Sequence, residues 1–339
     1  MAQSGKTSCS LNEGQLDASF SFKDSPRFGE VLDAWLERKK IGLKESSHVK
    51  YFNIINAHAK PAFGDFELPD ISSASLNGFV SKNRKKGKAK QKKDGQLSEK
   101  TLRDIMAVIK SALRFAAEEK LLDDIPILTV IYPRDKKKEM RVFTKDEQAA
   151  LESYLRVDMN ASKLGIFICL YTGLRIGEIC SLRWRDISLE NLTLTVNSTL
   201  QRLQTLGPSA AKTKLTETEP KSSSSKRTIP LPGFLAKMLH AFRPRNQNAY
   251  VLTGNAAKFI EPRTYHNHFK AHLAAASIKD ASFHSIRHSF ATRCVEAGFE
   301  IKSLSEILGH ANVNITLNRY VHPSLELKRS NMDKLTCLF

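Results

Sequence analysis

The sequence predicts a mainly α protein with a small antiparallel β-sheet, built as an N-terminal helical domain followed by a larger α+β domain. Three observations carry this. Apolar residues recur at helical spacing along most of the chain, strict alternation is confined to short stretches, and one charged stretch without apolar periodicity separates two helical regions. At 339 residues the chain is long enough for two separate cores.

Residues 1–25 are polar, carry no apolar run, and read as a flexible arm. The helical domain follows over residues 26–131. Its first helix starts after Ser25-Pro26, with Phe28, Val31, Leu32 and Trp35 on one face. A second helix runs from Ser46 to Ala59, and Pro61, Gly64 and Pro69 punctuate the turn region beyond it. A third, from Ser98 to Lys120, carries the stripe Leu102, Ile105, Met106, Ile109, Ala112, Leu113 and Ala116. Between them lies the most basic run of the chain, with Lys82, Arg84, Lys85, Lys86, Lys88, Lys90, Lys92 and Lys93. Such a run reads as a solvated loop, and the same loop contacts phosphates without reading bases.

Residues 132–140 form a basic linker, and the second domain spans 141–323. Thr144 and Glu147 make a capping box at its first helix. Leu164 to Leu170 is a buried helix broken at Thr172-Gly173, after which a new helix carries Arg175 at its head and Ile176, Ile179 and Cys180 inward. Leu192, Leu194 and Val196 alternate with polar residues as a strand, and a second strand ends at Thr228 to Pro232. Gly207 to Lys226 reads as an exposed, mobile connection between them. Helices then return over Phe234 to Phe242, Pro262 to Ala276, Phe283 to Ala297, Ile301 to Leu308 and Ile315 to Tyr320, with Gly298 and Gly309 at helix ends. Residues 324–339 form an amphipathic tail helix.

The formal net charge of +18 and a pI near 9.7 favour polyanionic partners such as nucleic acid over acidic metabolites. The cysteines are five, widely spaced and without a C-x-x-C, which points to reduced thiols inside the cell. No stretch has the length of a membrane span, so the expected location is the cytoplasm, in association with the nucleoid. No carboxylates stand at a spacing that suggests a two-metal nuclease; neither metal nor cofactor is expected.

His284 and Arg287, three residues apart on a helix, share one face. Arg175 at a helix start and His310 after Leu308-Gly309 add two donors at element ends, and four such donors suit a phosphate. Glu178, one turn from Arg175, is placed to pair with it.

Taken in order, Thr172-Gly173-Leu174-Arg175-Ile176-Gly177-Glu178-Ile179, His284-Ser285-Ile286-Arg287-His288, Leu308-Gly309-His310 and Asn318-Arg319-Tyr320-Val321-His322 resemble the active-site signature of the tyrosine recombinases, the phage integrase family. The resemblance spans residues 140–325, and the preceding domain is similar to that family's SAM-like, core-type DNA-binding domain. Integrases of phages and conjugative transposons are the subgroup it resembles most. It implies that Arg175 and Arg287 hold the non-bridging oxygens of a scissile phosphate and that Tyr320 is the nucleophile. His284 exchanges a proton with Tyr320, His310 donates a hydrogen bond to the phosphate, and Glu178 orients Arg175. Lys221 is the implied general acid, with Lys226 as its rival, while His288 and His322 read as structural. The implied activity is cleavage and rejoining of duplex attachment sites through a 3′-phosphotyrosyl intermediate and a Holliday junction. A homo-tetramer would act on DNA to integrate or excise a mobile element, with an excision factor as a further candidate partner and the tail docking on a neighbouring protomer. A type IB topoisomerase, an invertase or resolvase, and a non-cleaving DNA-binding relative are the alternatives.

Overall fold

Phe28, Val31, Leu32 and Trp35 line the buried face of α1 (Phe28–Lys40), and the N-terminal core is assembled against it. The structure, a computed structural model, describes residues 22, 25–84, 97–132, 140–206, 211–219, 225–321, 329, 332 and 333. The chain divides into two compact units, residues 1–137 and 138–339.

In the first unit α2 (Glu45–Ile54) continues through a π-helical turn over Ile55–Ala59 into α3 (Lys60–Phe63). The apolar stripe foreseen for residues 98–120 is buried along α5 (Glu99–Glu118), whose N-cap Ser98 accepts from the backbone of Thr101. One helix was not anticipated, α4 (Ser73–Asn83), capped by Ser72. Its sequence holds few apolar positions among serines, asparagines and a glycine, so it is a helix because Leu76 and Val80 are buried in the core rather than by propensity. Lys82 and Arg84, at its end, are exposed. Lys85, Lys86, Lys88, Lys90, Lys92 and Lys93 lie outside the described residues.

In the second unit the capping box of Thr144 and Glu147 opens α6 (Lys145–Arg156). α7 (Ala161–Thr172) is buried on all sides from Leu164 to Leu170, as its unbroken apolar run requires, and α8 (Ile176–Ser181) follows after Gly173. The sheet is larger than the sequence suggests. β1 (Ile187–Ser188), β2 (Thr193–Val196) and β5 (Arg227–Pro230) form one antiparallel sheet in the order β1-β2-β5, with Leu194 opposite Ile229 and Val196 opposite Arg227. β3 (Thr199–Gln204) and β4 (Thr213–Thr218) pair as a separate ribbon. Part of the stretch read as a mobile connection is therefore strand. β4 carries one apolar residue, Leu215, among threonines, a lysine and a glutamate, so the apolar alternation that marks a strand is absent, while its threonines favour extended backbone.

The remaining helices are α9 (Gly233–Phe242), α10 (Pro262–Ala275), α11 (His284–Glu296), α12 (Ile301–Leu308) and α13 (Val313–Tyr320). Of the tail, only residues 329, 332 and 333 are described, so its docking lies outside the described residues. Among the described residues no helix is long and apolar enough to cross a membrane.

Candidate active site

Two helix ends organise the cations. α7 stops at Gly173, whose φ of +65° is left-handed, and α12 stops at Gly309 with φ +63°. Carbonyls at such ends have no partner within the helix and carry the negative end of its dipole. The buried guanidinium of Arg287 donates Nη1–H to Gly173 O at 2.8 Å and Nη2–H to Leu308 O at 2.5 Å. Arg175 donates from Nη2 to Gly309 O at 3.2 Å. One residue on α8 and one on α11 are thereby drawn to the same place.

Glu178 answers Arg175 as expected. Its Oε1 accepts from Arg175 Nη1 at 2.8 Å and its Oε2 from the Arg175 backbone N–H at 2.9 Å. It also holds a third arginine that the sequence reading passed over. Arg227 on β5 donates to both carboxylate oxygens, at 3.1 and 2.9 Å, and from Nε to Ile307 O at 2.6 Å. The signal was present in the alternation. Arg227 keeps step with Ile229, so an arginine points inward on a strand whose neighbours at that parity are apolar.

Burial alone would raise the Glu178 pKa, but the pairs with Arg227 and then Arg175 outweigh it and hold the carboxyl at about 2. Arg287 is pulled down to about 9, first by lost hydration and then by Arg175, and stays charged at neutral pH. Three guanidiniums thus face a single carboxylate, an excess of positive charge that an anion would relieve.

The histidines and the phenol close the site. His284 and His288 lie one turn apart on α11 with ring centroids 4.7 Å apart, edge to face. His284 is open to solvent, whereas His288 is buried. Tyr320, the last residue of α13, is buried, and its hydroxyl lies 2.8 Å from His288 Nδ1. The ring of His310 is parallel to that of Tyr320 at 6.5 Å, and its Nδ1 meets Thr316 Oγ1 at 2.8 Å. Burial, and then the surrounding arginines together with His284 for His288, lower the pKa values of all these histidines. His284 is shifted down, His288 to about 4 and His310 to about 3. Burial likewise raises the Tyr320 phenol, against the opposing pull of Arg287 and Arg319.

The fold brings Arg175, Glu178, His284, Arg287, His310 and Tyr320 together. Lys221 and His322 lie outside the described residues; Lys226 is exposed, next to Arg227. The imidazole that touches the phenol belongs to His288, which the sequence reading left as structural. Its place four residues after His284 on one helix face is the signal that could have marked it. Beside Arg175 and His284 opens a cleft of about 360 Å³, with Arg263 and His266 of α10 on its wall.

Comparison with known proteins places the chain by family and fold. Residues 27–83 match the profile described as phage integrase, N-terminal SAM-like domain. A tyrosine recombinase XerC-like protein of Caldanaerobacter subterraneus subsp. tengcongensis is 27% identical, over 92% of this chain and 83% of the relative. The transposase from transposon Tn916 of Enterococcus faecalis is 29% identical, over 57% of this chain and 52% of its own. In fold, the chain is similar to the Tn1549 transposon integrase solved in complex with a circular intermediate DNA, with a TM-score of 0.71, 21% identity and coverage of 92% and 100%. A lambda integrase dimer bound to a COC′ core site gives a TM-score of 0.60 at 17% identity, covering 88% and 78%. Residues 141–326, more than half of the chain and all of the cluster around Tyr320, match the phage integrase family, and the chain belongs to that family, the tyrosine recombinases that cleave and rejoin DNA through a tyrosine intermediate.

Proposed function

We propose that this protein is a site-specific recombinase in which Tyr320 attacks a scissile phosphate of duplex DNA, integrating or excising a mobile element. The observation that carries the reading is the phenol's place beside Arg287, Arg319 and Arg175, the last held by Glu178. Arg175 and Arg287 hold the two non-bridging oxygens, and His310 adds a hydrogen bond. As the Tyr320 O–P bond forms, the bond to the 5′-oxygen breaks. The phenolic proton leaves to His284, which is open to solvent, and Lys221 protonates the departing 5′-oxygen, with Lys226 as the alternative acid. The phosphodiester energy is kept in the 3′-phosphotyrosyl link, so rejoining is the same step in reverse. Each preorganised donor of this kind supplies roughly 3 kcal/mol, about a hundredfold or more in rate.

A homo-tetramer cutting two strands at a time would pass through a Holliday junction, and the likeness in fold to a lambda integrase tetramer bound to a Holliday junction supports this assembly. Lys82, Arg84 and the lysines that follow contact DNA phosphates, the tail after residue 323 docks on a neighbouring protomer, and an excision factor sets the direction. The protein works on the nucleoid in the cytoplasm.

Covalent capture tests the reading. Incubated with duplexes from a randomised pool, the protein should yield adducts blocked at a 3′ end, and Tyr320→Phe should yield none. Adducts that persist in Tyr320→Phe would remove Tyr320 as nucleophile.

A further inference from the structure

Tyr320 ends its helix, so the backbone of α13 alone does not fix where its ring and hydroxyl point. The hydroxyl meets His288, whose Nδ1 stands 2.8 Å away inside a buried pocket, and Arg319 also hydrogen-bonds it. His284, Arg287, Arg319 and Arg175 surround the pair, and the His310 ring lies parallel to the phenol.

The geometry points to His288 as a positioning residue that holds the Tyr320 oxygen toward the phosphate by donating Nδ1–H to it, so that the phenol's own proton stays free to leave to His284. This rests on the reading of Tyr320 as the nucleophile. A phenol has one proton to give, and with its oxygen accepting from Nδ1–H that proton is not tied to His288, while a lone pair remains for attack as the proton departs. His288 is neutral at physiological pH and a poor base, its pKa of about 4 lowered by burial, then by His284, Arg319 and Arg287. From a phenol of ordinary acidity the proton would climb roughly six powers of ten to reach it. The neighbouring His284 is exposed and can pass a proton to water. The two rings, one turn apart, therefore divide orientation from transfer.

The test compares His288→Asn, whose side-chain amide nitrogen falls near the place of Nδ1 and donates without basicity, with His288→Leu, which fills the pocket and donates nothing. In the full-length protein labelled with ¹³Cζ-tyrosine, the Tyr320 signal, assigned with Tyr320→Phe, should shift in His288→Leu and return close to its wild-type position in His288→Asn. On a duplex selected by covalent capture, single-turnover adduct formation should fall about 100-fold in His288→Leu, the loss that a misplacement near 1 Å brings, and stay within about tenfold in His288→Asn, with DNA affinity unchanged in both. Wild-type rates in His288→Leu would overturn the inference. So would a His288→Asn protein that regains the tyrosine signal yet cleaves as slowly as His288→Leu, because His288 would then be the base. Failure of the underlying reading looks different: Tyr320→Phe would still form adducts, while the tyrosine signal would report the hydrogen bond as before.

Discussion

Glu178 and Arg227 form a two-pronged ion pair with both side chains buried, Nη1 to Oε1 at 3.1 Å and Nη2 to Oε2 at 2.9 Å. Because Arg227 also reaches Ile307 O and Glu178 also holds Arg175, this pair ties β5, α12 and the start of α8 into one frame. Replacing Arg227 by Met strands the carboxylate with a single, partly exposed partner. Breaking one side of a buried pair costs about 3–5 kcal/mol, and we expect a loss of that size in urea unfolding of Arg227→Met. The double variant Glu178→Met, Arg227→Met should recover only part of the stability, because Arg175 and Arg287 lose their shared carboxylate, and it should not recover the cleavage rate, since Arg175 is no longer oriented. A single variant as stable as wild type would show that the pair does not hold the frame.

Acid should weaken the fold in two stages. The unfolded chain protonates His288 and His310 near their ordinary 6.5, whereas the folded rings resist until about 4 and about 3, and His284 is shifted the same way. Their contribution is therefore complete above about 6.5 and lost as the pH falls toward 4 for His288 and toward 3 for His310. Glu178 is held at about 2 against an ordinary 4.5, so its contribution is complete above 4.5 and lost as the pH falls toward 2. Unfolding free energy measured from pH 8 downward should be level at first and then decline below about 6.5, and His288→Asn should flatten the upper part of that decline. A wild-type profile flat to pH 4 would contradict the neutral, buried assignment of His288.

Arg287→Lys keeps the charge and loses the fork. The guanidinium spans two carbonyls, Gly173 O and Leu308 O, on two different helix ends, and an ammonium on a flexible stem does not hold that geometry while presenting donors to a phosphate. Covalent adduct formation should drop on the order of a hundredfold, with DNA affinity nearly unchanged. An equal fall in affinity would mean that Arg287 serves binding rather than the reacting phosphate.

Much of this frame is legible in the sequence because it is written in local signals. The stripe of α5, the unbroken run of α7, the capping box at Thr144 and the stops at Gly173 and Gly309 each follow from periodicity or backbone chemistry alone. What escaped depends on partners far along the chain. α4 is helical through burial of Leu76 and Val80, and the ribbon of β3 and β4 has only isolated leucines, Leu200, Leu203 and Leu215, and no apolar alternation. Arg227 reads as one more charge in a polar segment until Glu178, 49 residues away, is seen to meet it. His288 stands beside an arginine that draws attention first, and only the fold brings Tyr320, 32 residues on, to its ring.

Gly173 separates backbone strain from function. At φ +65° any other residue is strained by about 1–2 kcal/mol, and here a Cβ would also fall 2.6 Å from Phe290 Cδ1 and 3.0 Å from Leu308 Cδ2. Gly254, at φ +64°, has nothing within 4 Å of that position, so Gly254→Ala carries the strain without the collision. Gly173→Ala must push aside Phe290 of α11 and Leu308 of α12, and the Gly173 carbonyl that receives Arg287 shifts in turn. Thermal unfolding should therefore show a small loss for Gly254→Ala and a larger one for Gly173→Ala, the difference being the collision. Adduct formation should be near wild type in the first and at least about tenfold slower in the second, because a displaced carbonyl misplaces the guanidinium. Equal rates in the two variants would mean that Arg287 keeps its place without the end of α7.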